Sequence, residues 1–377
     1  MQMLTGHVKR LARQVALLSL GLAPVVLLST SVPGDRIEWL DESGRHSCEG
    51  KVLAQTAEEV LVLLPDGQML LLPSEQVQSI QVEEVPPKPL SPAELSQHLL
   101  REFGPNFATI ITNHYVIVYD TDPRFANAVA NLLERLFSGF TRYFTLRGFQ
   151  VQRAEFPLVA VLFRSRAEFE AYARRELNSV DPRINGFYSL ETNRLALYYV
   201  PPRGRFTRSP VSPENVSTVA HEGAHQLTFN LGFVRRFSDP PLWVLEGVAT
   251  LFEVPAGSSG RWSGVGQLNR ARLNQFLKFV RRGRPPDSLQ SLITSDDRLQ
   301  TFQQAVDAYA EAWALTYFLV RTRPKAFFAY VQHLGKKPYL HRASAEERLS
   351  EFEHFFGPLD QIDAELVAYM QRIARFR

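Results

Sequence analysis

Residues 35–82 consist of short apolar runs separated by polar turns. Asp66 and Gly67 lie between two of these runs, and an Asp-Gly pair in that setting is a strong signal for a β-hairpin. The runs with the length and composition of strands are RIEWL, CEGKVLA, EVLVLL, QMLLLP and SIQV. Five short strands in so compact a segment indicate a small SH3-like β-barrel. We interpret this β-module as a non-catalytic spacer or docking unit.

Residues 83–96 are rich in proline and carry charges of both signs. This composition favours an extended, semi-rigid linker. The β-module is therefore expected to be joined by a linker to a second domain, residues 97–377.

In this second domain the apolar pattern alternates between a helical period and short apolar runs. A helix, a strand HYVIVYD and a long helix precede a buried strand FPLVAVLF, another helix, and a hairpin of GFYSL and RLALYYV. The long helix has one apolar side, formed by Phe125, Val129, Leu132, Leu133, Leu136, Phe137 and Phe140. After residue 212 the pattern is helical throughout. The sequence thus predicts an α+β fold in which a sheet precedes a helical half. RLALYYV is a candidate edge strand to which an extended peptide could add, with an ordinary strand of the sheet as the alternative.

The first 31 residues have the pattern of a targeting segment. Lys9, Arg10 and Arg13 precede an apolar run, and the small residues Ser29 and Ser31 follow it. This arrangement is typical of a secretory signal peptide, with an uncleaved N-terminal anchor as the alternative. Both predict an exported protein, located in the periplasm, the cell envelope or the extracellular space, and anchored to the membrane if the segment is kept.

Composition narrows the classes of function. The chain is 45% hydrophobic and 21% charged, as expected for a folded protein. Without the first 31 residues, 39 of the 42 Lys and Arg side chains remain, against 39 Asp and Glu. This balance gives no sign of nucleic-acid binding. Cys48 is the single cysteine, so neither a disulfide within the chain nor a thiolate metal cluster can form.

The segment STVAHEGAHQLTFN carries the chemistry that the sequence makes visible. Ser212 and Pro213 are typical of a helix start upstream of it. His221 and His225 are four residues apart, so both face one side of the helix and can bind a metal ion. Glu222 points about 100° away from His221, where it can act on a metal-bound water. Glycine inside a helix costs about 1 kcal/mol relative to alanine, so Gly223 indicates that another element approaches closely.

A catalytic site of this kind needs a third protein ligand. Thr228 and Leu231 occupy positions where a metzincin would continue its motif with glycine and histidine, which excludes that family. A second helix is predicted in DPPLWVLEGVATLFE, and Glu246 lies in its first turns. Glu246 would complete a His-His-Glu set that leaves the fourth position open. Glu253, seven residues later on the same face, is the alternative ligand.

The two motifs HEGAH and WVLEGVATLFE resemble those of the gluzincin clan of zinc metallopeptidases, to which thermolysin and the membrane-alanyl-type aminopeptidases belong. The resemblance is greater to the peptidase MA-like group of exported bacterial proteins, many of unknown function. The phrases HYVIVYD, GFYSLETNRLALYY and FEHFFGPLDQIDAEL are also similar to that group, so the resemblance covers about residues 105–370.

This resemblance implies a zincin-like, thermolysin-type domain with a mixed sheet and a helical half. It implies Zn²⁺ bound by His221, His225 and Glu246, with Glu222 as general base. Thermolysin carries an aspartate where this chain has Thr250, so the carboxylate that orients a histidine ligand must come from elsewhere, for example from Glu253. In several gluzincins a tyrosine or histidine of a later helix stabilises the oxyanion. Tyr309 is our choice for this role here; the alternatives are Tyr317, or neither, with both tyrosines as core residues of an apolar helix.

The sequence therefore predicts a zinc-dependent hydrolase of peptide bonds, acting on a peptide or protein. The exopeptidase motif of the aminopeptidases is not visible, so the mode of cleavage stays open. The alternative is a non-catalytic binding or scaffold protein of the cell envelope that keeps the gluzincin fold. Association with the envelope would use the N-terminal segment or the β-module.

Overall fold

A computed structural model gives the fold. It describes residues 34–375 except 84, 86, 178–183, 202–209, 257–260 and 263. The predicted signal or anchor segment, residues 1–31, lies outside the described residues. None of the helices in the described part of the chain is long and apolar enough to cross a membrane.

The β-module forms an antiparallel sheet. Its strands are β1 (Asp35–Asp41), β2 (Gly44–Gln55), β3 (Glu59–Leu63), β4 (Met69–Pro73) and β5 (Val77–Gln81). Their order is β4-β3-β2-β1-β5, so the last strand returns to pair with the first. Gly67 adopts a positive φ in the turn between β3 and β4, which explains the glycine of the predicted hairpin. All five predicted strands are present in the structure.

Alternation along the strands gives the β-module two apolar faces. Val60 and Val62 of β3 pack with Ile37, Trp39 and Leu72 in the core of the module. Leu61 and Leu63 point the other way and form a second cluster with Met69 and with Phe156 of the following domain. The β-module is therefore packed against the rest of the chain.

The second sheet lies in the middle of the chain. It is preceded by helix α1 (Pro92–Phe103), which begins inside the segment predicted to be a linker because Ser91 and Glu94 form a capping box. The strands are β6 (Ala108–Ile111), β7 (Tyr115–Tyr119), β8 (Leu158–Phe163), β9 (Gly186–Tyr188) and β10 (Arg194–Tyr198). The order is β6-β7-β8-β10-β9. Only the pairs β7–β8 and β8–β10 are parallel among these strands, so the sheet is mixed.

The strand order corrects one expectation. β10 contains most of RLALYYV, and it pairs with β8 on one side and β9 on the other. It is therefore an inner strand, and β9 is the outermost strand at that end in the described part of the sheet. The prediction of an edge strand was wrong because β10 pairs with β8 in parallel, and this long-range contact has no local sequence signal.

The helices form layers on both faces of the second sheet. Helices α1 and α3 (Arg166–Glu176) pack on one face. Helices α2 (Pro123–Thr145) and α4 (Pro213–Asn230) pack on the other face, together with the helical half. The helical half contains α5 (Leu242–Thr250), α6 (Arg270–Arg281), α7 (Ser288–Thr294), α8 (Asp297–Gln300), α9 (Phe302–Thr322), α10 (Pro324–Leu334), α11 (Ala345–Phe356) and α12 (Leu359–Arg375). The chain thus has an α+β fold whose C-terminal half is helical.

A small hairpin interrupts that helical half. Strands β11 (Pro255–Ala256) and β12 (Arg261–Trp262) pair after α5, where the sequence pattern predicted helices throughout. Trp262 donates from its indole nitrogen to the carbonyl of Phe252 at 2.8 Å. Strands of two residues are too short to show a period, which explains why they were missed.

The close approach expected at Gly223 is confirmed. A Cβ at this position of α4 would lie 2.5 Å from Cδ2 of Leu136, which belongs to the apolar side of α2. The absence of a side chain at Gly223, which lies between His221 and His225 on α4, therefore lets α2 pack tightly against α4.

Candidate metal centre

Helix α4 positions both histidines. It begins with Ser212, whose hydroxyl accepts a hydrogen bond from the backbone of Asn215 at 3.1 Å, followed by Pro213 in the first turn. His221 and His225 lie one turn apart and are both buried. Their Nε2 atoms are 3.2 Å from each other. Two imidazole nitrogens of one helix therefore converge on one point.

Helix α5 adds a carboxylate at the same point. Its first amide, that of Leu242, donates to Oδ1 of Asp296 at 3.0 Å, which fixes the start of the helix. Oε2 of Glu246 lies 3.2 Å from Nε2 of His221 and 3.6 Å from Nε2 of His225. The three residues form a buried group that could hold a metal ion.

The distances within this group fit a tetrahedral ion. Ligand atoms about 2.0–2.1 Å from zinc in tetrahedral geometry are about 3.3–3.4 Å apart, and the observed distances are 3.2, 3.2 and 3.6 Å. Oε2 of Glu246 is buried and makes no aligned hydrogen bond among the described residues. A buried carboxylate oxygen without an aligned partner, beside two imidazole nitrogens, is an arrangement that a cation would satisfy.

The ionisation of the group follows from its burial and its charges. Burial alone would lower the pKa of His221, but the carboxylates of Glu246 and Glu253 outweigh it and raise that pKa to about 10. Burial lowers the pKa of His225, and Glu246 offsets this only in part. Burial would raise the pKa of Glu246, yet His225 and His221 hold it far below its usual range. Without a metal, the group therefore keeps a proton on His221 and a negative charge on Glu246.

Glu222 lies beside the group without joining it. Its side chain is 1% exposed, and Oε2 has no hydrogen-bond partner in the described part of the chain. Burial raises the pKa of Glu222 to about 8, with His221 lowering it and Glu246 raising it. The backbone of Tyr188 in β9 contributes a hydrogen bond that stabilises the charged form. A carboxyl group with a pKa near neutrality can both accept and return a proton.

Glu253 contacts the opposite side of the His221 ring. Its Oε2 lies 3.2 Å from Nδ1 of His221, whereas Glu246 faces Nε2 of the same ring. Burial would raise the pKa of Glu253, but Arg272 and then His221 hold it at about 2. Thr250 cannot take this place, because it is buried and donates to the carbonyl of Gly247 at 2.8 Å. Glu253 therefore has the geometry of the orienting carboxylate rather than that of a ligand.

Of the two tyrosines proposed for oxyanion stabilisation, the structure brings only Tyr309 to the group. Burial and the neighbouring Glu246 raise the pKa of Tyr309 well above its ordinary value, so its hydroxyl stays protonated. Tyr317 lies two turns further along α9, where it packs against Trp313 and under Arg321. Of the two, only Tyr309 can donate a hydrogen bond into the site.

Two residues of the site have no signal in the sequence. Asn269 and Arg272, at the start of α6, both donate to Oε1 of Glu253, at 2.7 and 3.0 Å. They lie 16 and 19 residues after Glu253 in a segment that looks like an ordinary amphipathic helix. Only the packing of α6 against α9 brings them to the site.

One match to a known family covers the residues of the candidate site. Residues 215–341 match a family described as a protein of unknown function, DUF1570. This stretch contains the three metal-ligand candidates, Glu222, Glu253 and Tyr309, and the family description names no activity. No curated protein matches the chain.

Proposed function

We propose that the chain is an exported zinc-dependent peptidase with a gluzincin-type site. The observation that carries the proposal is the convergence of His221, His225 and Glu246 with a buried carboxyl group, Glu222, beside them. Two imidazoles and one carboxylate are a donor set that catalytic zinc sites use, with one position left for water or substrate. A group that only bound a metal would have no need of Glu222.

The arrangement of elements supports a zincin-like domain of the thermolysin type. A mixed sheet precedes a helical half, and the candidate ligands come from two consecutive helices, α4, which follows the sheet, and α5, which begins the helical half. The return of β5 to β1 is the feature that supports an SH3-like β-module. In this proposal the β-module or the N-terminal segment accounts for association with the cell envelope.

The ligands hold the metal, and Glu222 moves the proton. Zinc bound by His221, His225 and Glu246 would polarise the substrate carbonyl and lower the pKa of a water molecule. The Glu222 carboxylate accepts a proton from the attacking water and transfers it to the departing amine. Burial raises the pKa of Glu222 to about 8 in the metal-free site, and a zinc ion beside it would lower that pKa, which favours the carboxylate form that accepts the proton.

Tyr309 acts on the charge that forms at the carbonyl oxygen. Its protonated hydroxyl, which interacts with Glu246 in the metal-free site, is the donor in this role, and the site around it is buried, which strengthens the interaction with an oxyanion. Glu253 keeps the ring of His221 in the orientation that presents Nε2 to the metal. The substrate class is a peptide or protein.

The test compares the full chain with E222Q and with E214Q as a matched control. Glu214 is an exposed carboxylate on the same helix. We expect about one zinc per chain in all three proteins, and cleavage of a mixed peptide library by the wild type and E214Q but not by E222Q. A chelator should abolish the cleavage. Zinc binding without cleavage by the wild type would favour the scaffold alternative, and retained cleavage by E222Q would exclude the mechanism.

A further inference from the structure

Arg272 lies between two residues of the proposed site, Glu253 and Tyr309. Its Nε donates to Oε1 of Glu253 at 3.0 Å, and one terminal nitrogen reaches Oε2 at 3.4 Å. The guanidinium carbon is 5.6 Å from the centre of the Tyr309 ring. One half-buried side chain therefore contacts both the carboxylate that orients His221 and the tyrosine that faces Glu246.

The contacts to Glu253 determine which of its oxygens faces the metal group. Oε1 accepts from Asn269 at 2.7 Å and from Arg272, which leaves Oε2 directed at Nδ1 of His221. The backbone of Glu253 is fixed as well, because its carbonyl accepts from the hydroxyl of Ser217 at 3.0 Å. A carboxylate held on both sides in this way has one orientation available.

The same residues build the start of α6. Asn269 caps the helix, and its Oδ1 accepts from the backbone of Arg272 at 3.1 Å while its amide group donates to Glu253. The first turn of α6 is thus assembled around Glu253. The position of α6 and the orientation of the His221 ring depend on one shared set of hydrogen bonds.

We propose that Arg272 is a positioning residue that fixes the metal ligand His221, through Glu253, and Tyr309 in a single arrangement. This inference rests on the proposed function. Arg272 holds Glu253 by a charge-assisted pair of hydrogen bonds and places its cation against the tyrosine ring. Metal affinity therefore depends on a side chain of α6 that is not a ligand.

The experiment measures zinc affinity by competition with a chromophoric chelator for the full-length wild type, R272M, R272K and R270M. Arg270 is exposed on the same helix and serves as the matched control. We expect R272M to bind zinc about 10- to 100-fold more weakly. R272K keeps the charge but cannot form the paired hydrogen bonds to Glu253, so its zinc affinity should lie between those of R272M and the wild type. The zinc affinity of R270M should match that of the wild type.

Two further measurements separate positioning from a general loss of structure. Thermal unfolding of the zinc-free proteins reports whether R272M is folded. If it is not, R272K decides, since it keeps the charge and the length of the side chain but loses the paired hydrogen bonds to Glu253, and it should also weaken zinc binding. Where a peptide substrate is cleaved, R272M should lower kcat with little change in KM, because Tyr309 loses its position.

The outcomes distinguish this inference from the proposed function. If the wild type binds no zinc, the proposed function fails. If the wild type binds zinc and folded R272M, or R272K in its place, binds within about threefold of it, the role of Arg272 is excluded while the metal site stands. An equal loss in R270M and R272M would also exclude it.

Discussion

Gly247 and Thr316 meet where the helix that carries Glu246 crosses the helix that carries Tyr309. A Cβ at position 247 would overlap Oγ1 of Thr316 and would lie 3.0 Å from the carbonyl oxygen of Ala312. Helices α5 and α9 therefore approach closely enough that only glycine fits between them. The neighbour of this glycine is a metal-ligand candidate, so the contact sets the depth of Glu246 in the site.

Replacing Gly247 with alanine should destabilise the protein and weaken metal binding together. The added methyl group forces α5 away from α9, and such overpacking costs about 1–3 kcal/mol. Denaturant unfolding of the zinc-free protein measures the first effect and chelator competition the second. G223A is the matched comparison and should cost less, because its methyl group meets the end of the Leu136 side chain rather than a backbone atom.

The double variant G247A/T316A tests whether the overlap with Thr316 causes the losses of stability and zinc affinity expected for G247A. Oγ1 of Thr316 is buried and has no hydrogen-bond partner among the described residues, so T316A alone should be close to neutral. Adding it to G247A removes the worst overlap and should restore part of the stability and of the zinc affinity. Equal stability of G247A and the wild type would show that the helix contact does not constrain the site.

Zinc binding should release a proton between pH 7 and pH 9. The pKa of His221 in the metal-free site is about 10, so its ring carries a proton in this range and must lose it to bind a metal. His225, with a lowered pKa, contributes none. Zinc affinity should therefore rise with pH up to about pH 10 and then level off.

Calorimetry in two buffers of different ionisation enthalpy measures this proton. E222Q is the suitable background, because Glu222 has a pKa of about 8 and would add its own proton to the count. About one proton per zinc is expected from His221 at pH 8, and ionisation of a zinc-bound water would add to it. A value near zero in E222Q would show that His221 is already neutral in the metal-free protein.

Local periodicity was sufficient to predict the metal-ligand candidates and much of the fold. The helical period of α4 and α5 was enough to predict that His221, His225 and Glu246 face one point. The alternation of apolar and polar residues and one Asp-Gly turn were enough to predict the strands of the β-module. The inner position of β10 and the place of Arg272 depend on which distant segments pack together. Asn269 and Arg272 reach Glu253 only after α6 has docked, so no spacing in the sequence could predict them.

Tyr309 and Tyr317 should differ when each is changed to phenylalanine. Tyr309 has its hydroxyl near Glu246, whereas Tyr317 packs against Trp313 away from the group. Loss of one oxyanion donor costs about 10²–10³ in kcat, so Y309F should lose most activity on a peptide that the wild type cleaves. Y317F should keep it. Zinc content should be unchanged in both, and full activity of Y309F would remove the tyrosine from the mechanism.

Arg236 should be needed to hold the β-module in place. It lies in the connection between α4 and α5, is buried, and donates to the carbonyl of Gly67 in the β-module at 2.8 Å and to that of Leu190 at 3.0 Å. R236M leaves these carbonyls without the charged donor, which costs about 1.5–3 kcal/mol for hydrogen bonds of this kind.

The exposed neighbour Arg235 provides the control R235M. We expect a lower unfolding midpoint and faster proteolysis within residues 34–91 in R236M alone. If both variants resist protease as the wild type does, the apolar contacts of Leu61, Leu63 and Phe156 are sufficient to hold the module, because they are the other part of that interface.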